Sequence, residues 1–333
     1  MFWVSLSILD EIDFYFSTRE GKIGIALSGG KDSVALLLLA IDKFGCDHVV
    51  GLHVDHQARA LKSCEEESSY IVGLSNKLGV ECLNFQLERT ENHSEEVLRN
   101  LRYCALAKMA NEKGLKTVAL GHHKFDQSES FMLHLLRGSD INGLTGMRES
   151  FESDGIAFVR PLLKCHPKLL EDFLELKKIK PFEDPSNAEN IYKRNRIRNE
   201  LFILLEELQP GVSERLADFS DSLKEIDEWK KSCLAEMEKE LTVRKNNNGE
   251  LLYTKSFFNK YPKPVVKEWC YKILNHWAGG KNQISRRHVL ALTEVIQSDK
   301  TGYWPEVFPG NVQIRVRKRE IVVKLSKKTI FFN

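Results

Sequence analysis

The segment Ser28-Gly29-Gly30-Lys31-Asp32-Ser33 has the residue types of a phosphate-binding loop. It stands where the strand-like run Lys22–Leu27 gives way to the helical pattern Ser33–Lys43. Glycines let backbone N–H groups approach phosphate oxygens, and a helix starting there adds the positive end of its dipole. The hydroxyls of Ser28 and Ser33 can donate to the same oxygens. Asp32 is repelled by phosphate unless a cation lies between them, which makes it a candidate Mg²⁺ ligand. The loop is neither G-x-x-x-x-G-K-S/T nor G-x-G-x-x-G, and Lys31 sits at a variable position without a P-loop lysine's role. An ordinary strand-to-helix turn uses the same residue types.

Four further segments concentrate reactive side chains. His53-Val54-Asp55-His56 ends the second strand-like run. Glu96–Tyr103 places an acid ahead of Arg99, Arg102 and Tyr103. Gly121-His122-His123-Lys124-Phe125-Asp126-Gln127-Ser128-Glu129-Ser130 closes a strand, opens a helix and continues to Leu136-Arg137-Gly138. Glu183-Asp184-Pro185-Ser186-Asn187 precedes Tyr192-Lys193-Arg194-Asn195-Arg196-Ile197-Arg198. Asp126 and Glu129, three apart, can share one helix face. Each group also has a plainer reading. His122 and His123 would serve a satisfied strand end, Asp126 and Glu129 a helix N-terminus that favours acids, and Arg194, Arg196 and Arg198 a solvated helix face. Trp229 and Trp277 read as packing residues.

The elements that must position these groups alternate. Strand patterns at Lys22–Leu27, Val49–Val54, Val80–Leu87 and Lys116–Leu120 are separated by helical patterns at Ser33–Lys43, Cys64–Leu78 and Glu95–Lys113. Asp126–Leu136 opens another helix, and Ile156–Val159 supplies a fifth strand. Such alternation implies βαβ units and a parallel sheet covered on both faces. A doubly wound sheet binds ligands at the carboxyl edge of its strands. From Lys168 the pattern turns helical, with Arg194–Leu208 ended by Pro210-Gly211. Ser213–Leu241 reads as a long helix with Leu216, Phe219, Leu223, Ile226 and Leu234 at helical spacing. After Asn246-Asn247-Asn248-Gly249 come helical stretches near Pro264–Trp277 and Ser285–Ser298. A basic hairpin follows over Gln313–Val316 and Ile321–Leu325, where alternation predicts Arg315, Arg317 and Arg319 on one face.

The chain has 333 residues, and its overall charge of +2 hides a division. Leu241–Asn333 holds 18 Lys+Arg against 6 Asp+Glu, a net of +12, and the preceding 240 residues hold 31 against 41, a net of −10. A basic end on an acidic body suggests a polyanionic partner, although a solvated basic surface would carry the same charge. The 42% hydrophobic content excludes wholesale disorder. No apolar run approaches the roughly 20 residues of a spanning helix. Met1–Phe16 lacks a basic start and contains Asp10, Glu11 and Asp13, unlike a signal peptide. Seven scattered cysteines without a C-x-x-C pair fit reduced thiols in a cytoplasmic chain.

S-G-G-x-D-S after the first strand resembles the loop of the ATP pyrophosphatase (PP-loop) superfamily, whose members cleave ATP between the α and β phosphates. The further segments select within it. His53–His56, His122–Ser130 with Leu136–Gly138, Arg160-Pro161-Leu162-Leu163, Glu183–Asn187 and Tyr192–Arg198 occur in the order found in the tRNA(Ile)-lysidine synthetase family. The resemblance covers about residues 20–200 and extends loosely to the basic stretch Gly302–Leu325, with Pro309-Gly310. One position departs from it. The family has two consecutive acids after H-H-x, and here they are Phe125-Asp126.

The resemblance implies an adenine nucleotide alpha hydrolase-like α/β domain over 1–212. A helical connector over 213–245 and a smaller α+β tRNA-binding domain over 246–333 would follow. It implies a ligase that joins L-lysine to the wobble cytidine of an isoleucine tRNA with a CAU anticodon, using ATP and Mg²⁺, with no membrane association and admitting a homodimer. Carried onto this chain, the catalytic candidates are Asp32, His122, Asp126, Glu129 and Arg194. Ser28, Gly29, Gly30, Lys31, Asp32, Ser33 and His53 would bind the nucleotide, with Asp32 on the metal. Arg196, Arg198, Arg315, Arg317 and Arg319 would meet tRNA. A superfamily ligase acting on a small molecule, or a module that binds nucleotide without catalysis, are the competing readings.

Overall fold

The strand β1 (Ile23–Ala26) is apolar because both of its faces are covered, and Ile23 and Ile25 are fully buried. It lies at the centre of a six-stranded sheet in a computed structural model that describes residues 21–55, 61–87, 95–182, 193–277, 284–298, 301–308 and 312–324. β2 (Val49–Asp55), β3 (Glu81–Gln86), β4 (Thr117–Ala119), β5 (Ser150–Ser153) and β6 (Ile156–Val159) complete it in the order β3-β2-β1-β4-β6-β5. All pairings are parallel except β5 with β6. Within this sheet β5 is the strand that the sequence reading omits, and its polar Ser-Phe-Glu-Ser stretch lies at the sheet edge.

Helices Lys31–Phe44, Leu61–Leu78 and Glu95–Glu112 connect the first four strands, and Pro167–Lys177 packs against the first of them. The chain therefore has the predicted doubly wound fold. One core, with Leu36, Leu37 and Phe173 fully buried, covers one side of the sheet, and a second, with Leu52, Leu106 and Phe158, covers the other. Strand order reverses direction between β1 and β4. That crevice is where an open α/β sheet holds its ligand.

The long helix Val212–Glu240 corrects one expectation. Trp229, read as a packing residue, is 57% exposed, and Phe219 and Ile226, two of the positions at helical spacing, are exposed as well. The buried positions are Ser213, Ala217, Ser220, Leu223, Asp227, Lys230, Leu234 and Met237. Trp277 has no described side chain. By its contacts the chain divides into two units, Met1–Lys224 and Glu225–Asn333.

In the second unit, β7 (Val243–Lys245), β8 (Leu251–Thr254), β9 (Gly302–Phe308), β10 (Val312–Val316) and β11 (Glu320–Lys324) form an antiparallel sheet ordered β7-β8-β11-β10-β9. Helices Lys263–Trp277 and Arg286–Ile296 share its core through Val266, Trp269, Leu292 and Ile296. The basic hairpin is present, but β10 ends at Val316. Arg315 is exposed beside buried Ile314 and Val316, while Arg317 and Arg319 lie in the turn after the strand. The alternation expected to align all three arginines therefore stops at the first. All seven cysteines are free thiols. No helix among the described residues is long and apolar enough to cross a membrane.

Candidate active site

At the end of β1 the chain must turn sharply into the helix Lys31–Phe44. Gly29 makes the turn at φ +72°, where a side chain would be strained and a Cβ would lie 3.2 Å from Phe182. Gly30 occupies the N-cap without a side-chain hydrogen bond, so the first-turn N–H groups have no intrahelical partners. The serines shape the loop. Ser33 Oγ accepts from Ser28 N and Ser28 Oγ, each at 3.2 Å, and donates to Gly30 O at 2.9 Å. Lys31 turns away from the turn, and its ammonium pairs with Glu171 at 2.6 Å.

Asp32 is different. Its buried Oδ1 has no hydrogen-bond partner among the described residues, and Oδ2 lies 3.7 Å from His123 Nε2. Burial raises its pKa above the ordinary carboxylate value, His123 opposes this and Asp126 reinforces it. No group of three or more His, Cys, Asp or Glu suited to a metal exists among the described residues. One unpartnered carboxylate beside a phosphate loop suits Mg²⁺, which is commonly held by one or two carboxylates, phosphate oxygens and water.

β4 delivers the next group. Gly121 permits the contact, because a Cβ there would lie 3.1 Å from the backbone of Asp32 and Ser33. His123 caps the helix Lys124–Leu136: its Nδ1 accepts from Phe125 N at 3.2 Å, and Asp126 Oδ2 accepts from His123 N at 2.8 Å. This cap turns Asp126 and Glu129 inward, where they are 6% and 3% exposed.

Two arginines neutralise the acids. Arg194 donates to Asp126 Oδ1 and Glu129 Oε2, both at 2.9 Å. Arg198 reaches Asp126 Oδ1 at 3.2 Å and Glu129 Oε2 at 2.9 Å, and makes a further short bond to Glu129 Oε1. Burial alone would raise the Asp126 pKa, but His123, Arg194 and the hydrogen bond from His123 N hold it far below the carboxylate range. The four-residue spacing of Arg194 and Arg198 puts them on one face. Arg196 projects elsewhere and pairs with Glu200 at 3.0 Å in the open. The three arginines, grouped in sequence as one face, thus divide into two site residues and one surface residue.

His122 accepts a hydrogen bond at Nδ1 from Arg160 Nε at 3.3 Å. Arg160 also donates to Arg148 O at 2.6 Å and to Tyr103 OH at 3.4 Å, and lies over the Phe151 ring. Burial first, and the nearby guanidinium groups, keep the His122 pKa well below the ordinary histidine value. Arg102 is half-buried, and its buried Nε is unpartnered among the described residues. Neither Arg102 nor Arg160 is among the site residues expected from the sequence. The spacing of Arg99, Arg102 and Tyr103 was the available signal.

These groups line a cavity of about 400 Å³ that includes Ser28, Asp32, His122, Asp126, Arg194 and Arg198. A second cavity, of about 600 Å³, shares Asp32 and Arg198 and is walled by Phe125, Pro167, Phe202 and Ile203. The Phe125 ring meets His166 edge-on at 4.8 Å. His53 is not part of either wall. Period-two alternation turns Leu52 and Val54 to the first cavity and His53 away from it. Its Nδ1 lies 2.9 Å from Leu27 O and its Nε2 3.3 Å from Ser68 Oγ. In this structure His53 ties the end of the first strand to the helix Leu61–Leu78. His56, Glu183–Asn187, Tyr192 and Pro309-Gly310 lie outside the described residues. Arg315, Arg317 and Arg319 belong to the second unit.

The PP-loop domain family matches residues 7–205. Among curated proteins, the tRNA(Ile)-lysidine synthase of Bacillus cereus (strain ATCC 10987 / NRS 248) is 28% identical over 306 residues, which are 89% of this chain and 64% of that protein. That of Wolbachia sp. subsp. Brugia malayi (strain TRS) is 31% identical over 199 residues, 58% of this chain and 46% of that protein. The synthase of Borreliella burgdorferi (strain ZS7) is 28% identical over 288 residues, covering 83% and 62%. The chain spans less than two thirds of the length of these relatives. The solved U34-tRNA thiolase NcsA from Methanococcus maripaludis shares the fold, with a TM-score of 0.55 and 15% identity over 67% of this chain and 79% of that one.

Proposed function

This chain belongs to the PP-loop domain family, and from that membership we propose that it ligates L-lysine to the wobble cytidine of an isoleucine tRNA with a CAU anticodon. The names of its relatives, tRNA(Ile)-lysidine synthases, support the substrate and the reaction. The observation that carries the reading is the shared cavity. The unpartnered Asp32 at the phosphate loop opens on the same space as the buried pair Asp126–Arg194.

ATP lies with its phosphates against Ser28–Ser33. Asp32 would hold Mg²⁺, which offsets phosphate charge. The cytidine O2 attacks the α-phosphorus and pyrophosphate leaves. The lysine ε-amine then attacks C2 and AMP leaves. An amide-like oxygen is a poor leaving group, and adenylation removes that obstacle. The amine must first lose its proton, against an ordinary pKa of about 10.4. Asp126, held strongly acidic, retains a proton poorly, so its part is that of a hydrogen-bond acceptor. It suits a cytosine amino group, which a uracil lacks. The cytidine must leave its stack to enter, as in other base-modifying enzymes. Arg194 fixes the two acids, and half-exposed Arg198 faces both cavities. In the second unit the exposed Arg315, Arg317 and Arg319 would meet tRNA phosphates.

Pyrophosphate release from labelled ATP tests this, with tRNA(Ile) and L-lysine each omitted in turn. Release that needs the tRNA, followed by lysine incorporation, is expected. Release with a small molecule alone identifies a different ligase, and nucleotide binding without release identifies a non-catalytic module.

A further inference from the structure

We infer that Arg160 is a positioning residue that fixes His122 as the tautomer protonated on Nε2, so that this imidazole donates a hydrogen bond into the cavity and accepts no proton during the reaction. A guanidinium N–H can only donate. Arg160 Nε points at His122 Nδ1 at 3.3 Å, so that nitrogen must offer its lone pair. A neutral ring carries one proton, and it therefore resides on Nε2. An imidazolium would set two N–H groups against each other.

Arg160 cannot easily withdraw. Arg148 O and Tyr103 OH hold its other nitrogens, and the Phe151 ring lies 4.8 Å from its guanidinium carbon. Charges reach His122 from every neighbouring element. Arg102 comes from the helix Glu95–Glu112, Arg194 from the segment Lys193–Arg196, Arg160 from beyond β6, and Asp126 from the helix that follows. Three cations oppose one anion, and that anion is already committed to Arg194 and Arg198. The surroundings thus favour the neutral ring that the hydrogen bond requires.

A neutral donor fixed at the cavity wall stabilises an oxygen that gains charge in the transition state. Which oxygen it meets, on the α-phosphate or on the adenylated base, rests on the reaction proposed above. The tautomer does not. Imidazole ¹⁵N NMR of the full chain tests it directly, with the resonance assigned by its loss in His122→Gln. The expected spectrum shows the Nε2–H tautomer and no titration between about pH 5 and 8. An Nδ1–H tautomer, or a titrating ring, overturns the inference even if the enzyme makes lysidine. Arg160→Met should release the ring and mix its tautomers, while burial, Arg102 and Arg194 still keep it neutral. Unchanged His122 signals in that variant would remove Arg160's role.

Turnover supplies the second readout. A glutamine amide can accept from Arg160 and donate to the cavity, but cannot act as a base. His122→Gln should stay within about tenfold of the wild-type rate, and His122→Leu should lose about 100-fold or more. A loss in His122→Gln as large as that of His122→Leu would make His122 a proton acceptor.

Discussion

Asp126 Oδ1 lies 2.9 Å from Arg194 Nη2, across 68 positions of sequence. With Glu129 and Arg198 it forms a closed group of two acids and two arginines. Neither acid is a free base, and neither arginine that lines the cavity is a simple surface charge. The group therefore orients itself before any substrate arrives.

Asp126→Asn leaves the shape of this group but removes half its negative charge. The rate of product formation should fall at least about 100-fold, with KM for ATP little changed. Breaking a buried pair costs about 3–5 kcal/mol, and the half-exposed Arg198 keeps the loss at or below the lower end. Steady-state kinetics and urea denaturation measure both. A change confined to ATP affinity would assign Asp126 to the nucleotide instead.

Asp32→Ala should abolish pyrophosphate release without harming the fold. The wild-type carboxyl has a folded pKa above its unfolded value, so it opposes folding at neutral pH. Without ligands the variant should unfold at the same temperature as the wild type or higher. Near-normal turnover in a folded Asp32→Ala protein would remove the metal-ligand reading.

His122 links stability to pH in a predictable direction. Its folded pKa is depressed, so below about 6.5 the unfolded chain binds a proton that the native chain refuses. Stability therefore rises with pH across that window and is lost as pH falls toward the folded value. The slope from this one group is at most about 1.4 kcal/mol per pH unit. Denaturation of wild type and His122→Gln at several pH values should show the flatter profile in the variant. Parallel profiles would mean that His122 takes up its proton equally in the folded and unfolded chains, so that burial does not hold it neutral.

Charge reversal at Arg315, Arg317, Lys318 and Arg319 should weaken tRNA binding and reduce its dependence on salt. Each lost phosphate contact lowers the logarithmic salt slope by roughly 1. Preference among tRNAs should change little, since phosphate contacts position rather than specify. Affinities at several salt concentrations decide the matter. Unchanged affinity and slope would leave the second unit without a docking role.

Elements legible in the sequence were those whose signals are local. Buried parallel strands such as β1 and β2 show as unbroken apolar runs, and Gly29 marks a turn only glycine makes easily. β5 was missed because its polar edge residues resemble a loop. The exposure of Phe219 and Trp229 was not legible because helical spacing tells which residues share a face and not which face is covered. The same limit hid the separation of Arg196 from Arg194 and Arg198, and the turn of His53 away from the cavity. Arg160 could not be placed at all, because its partners His122, Arg148 and Tyr103 lie 12 to 57 positions away.

The contact of Gly121 with the backbone of Asp32 and Ser33 sets the distance between the two halves of the cleft. It is main chain against main chain, so no rotamer can absorb an error in it. One methyl group at Gly121 would press on the phosphate loop and require its backbone to yield by a few tenths of an ångström. The spacing between the loop and the segment that leads to His122 and Asp126 is thus sensitive to a single atom.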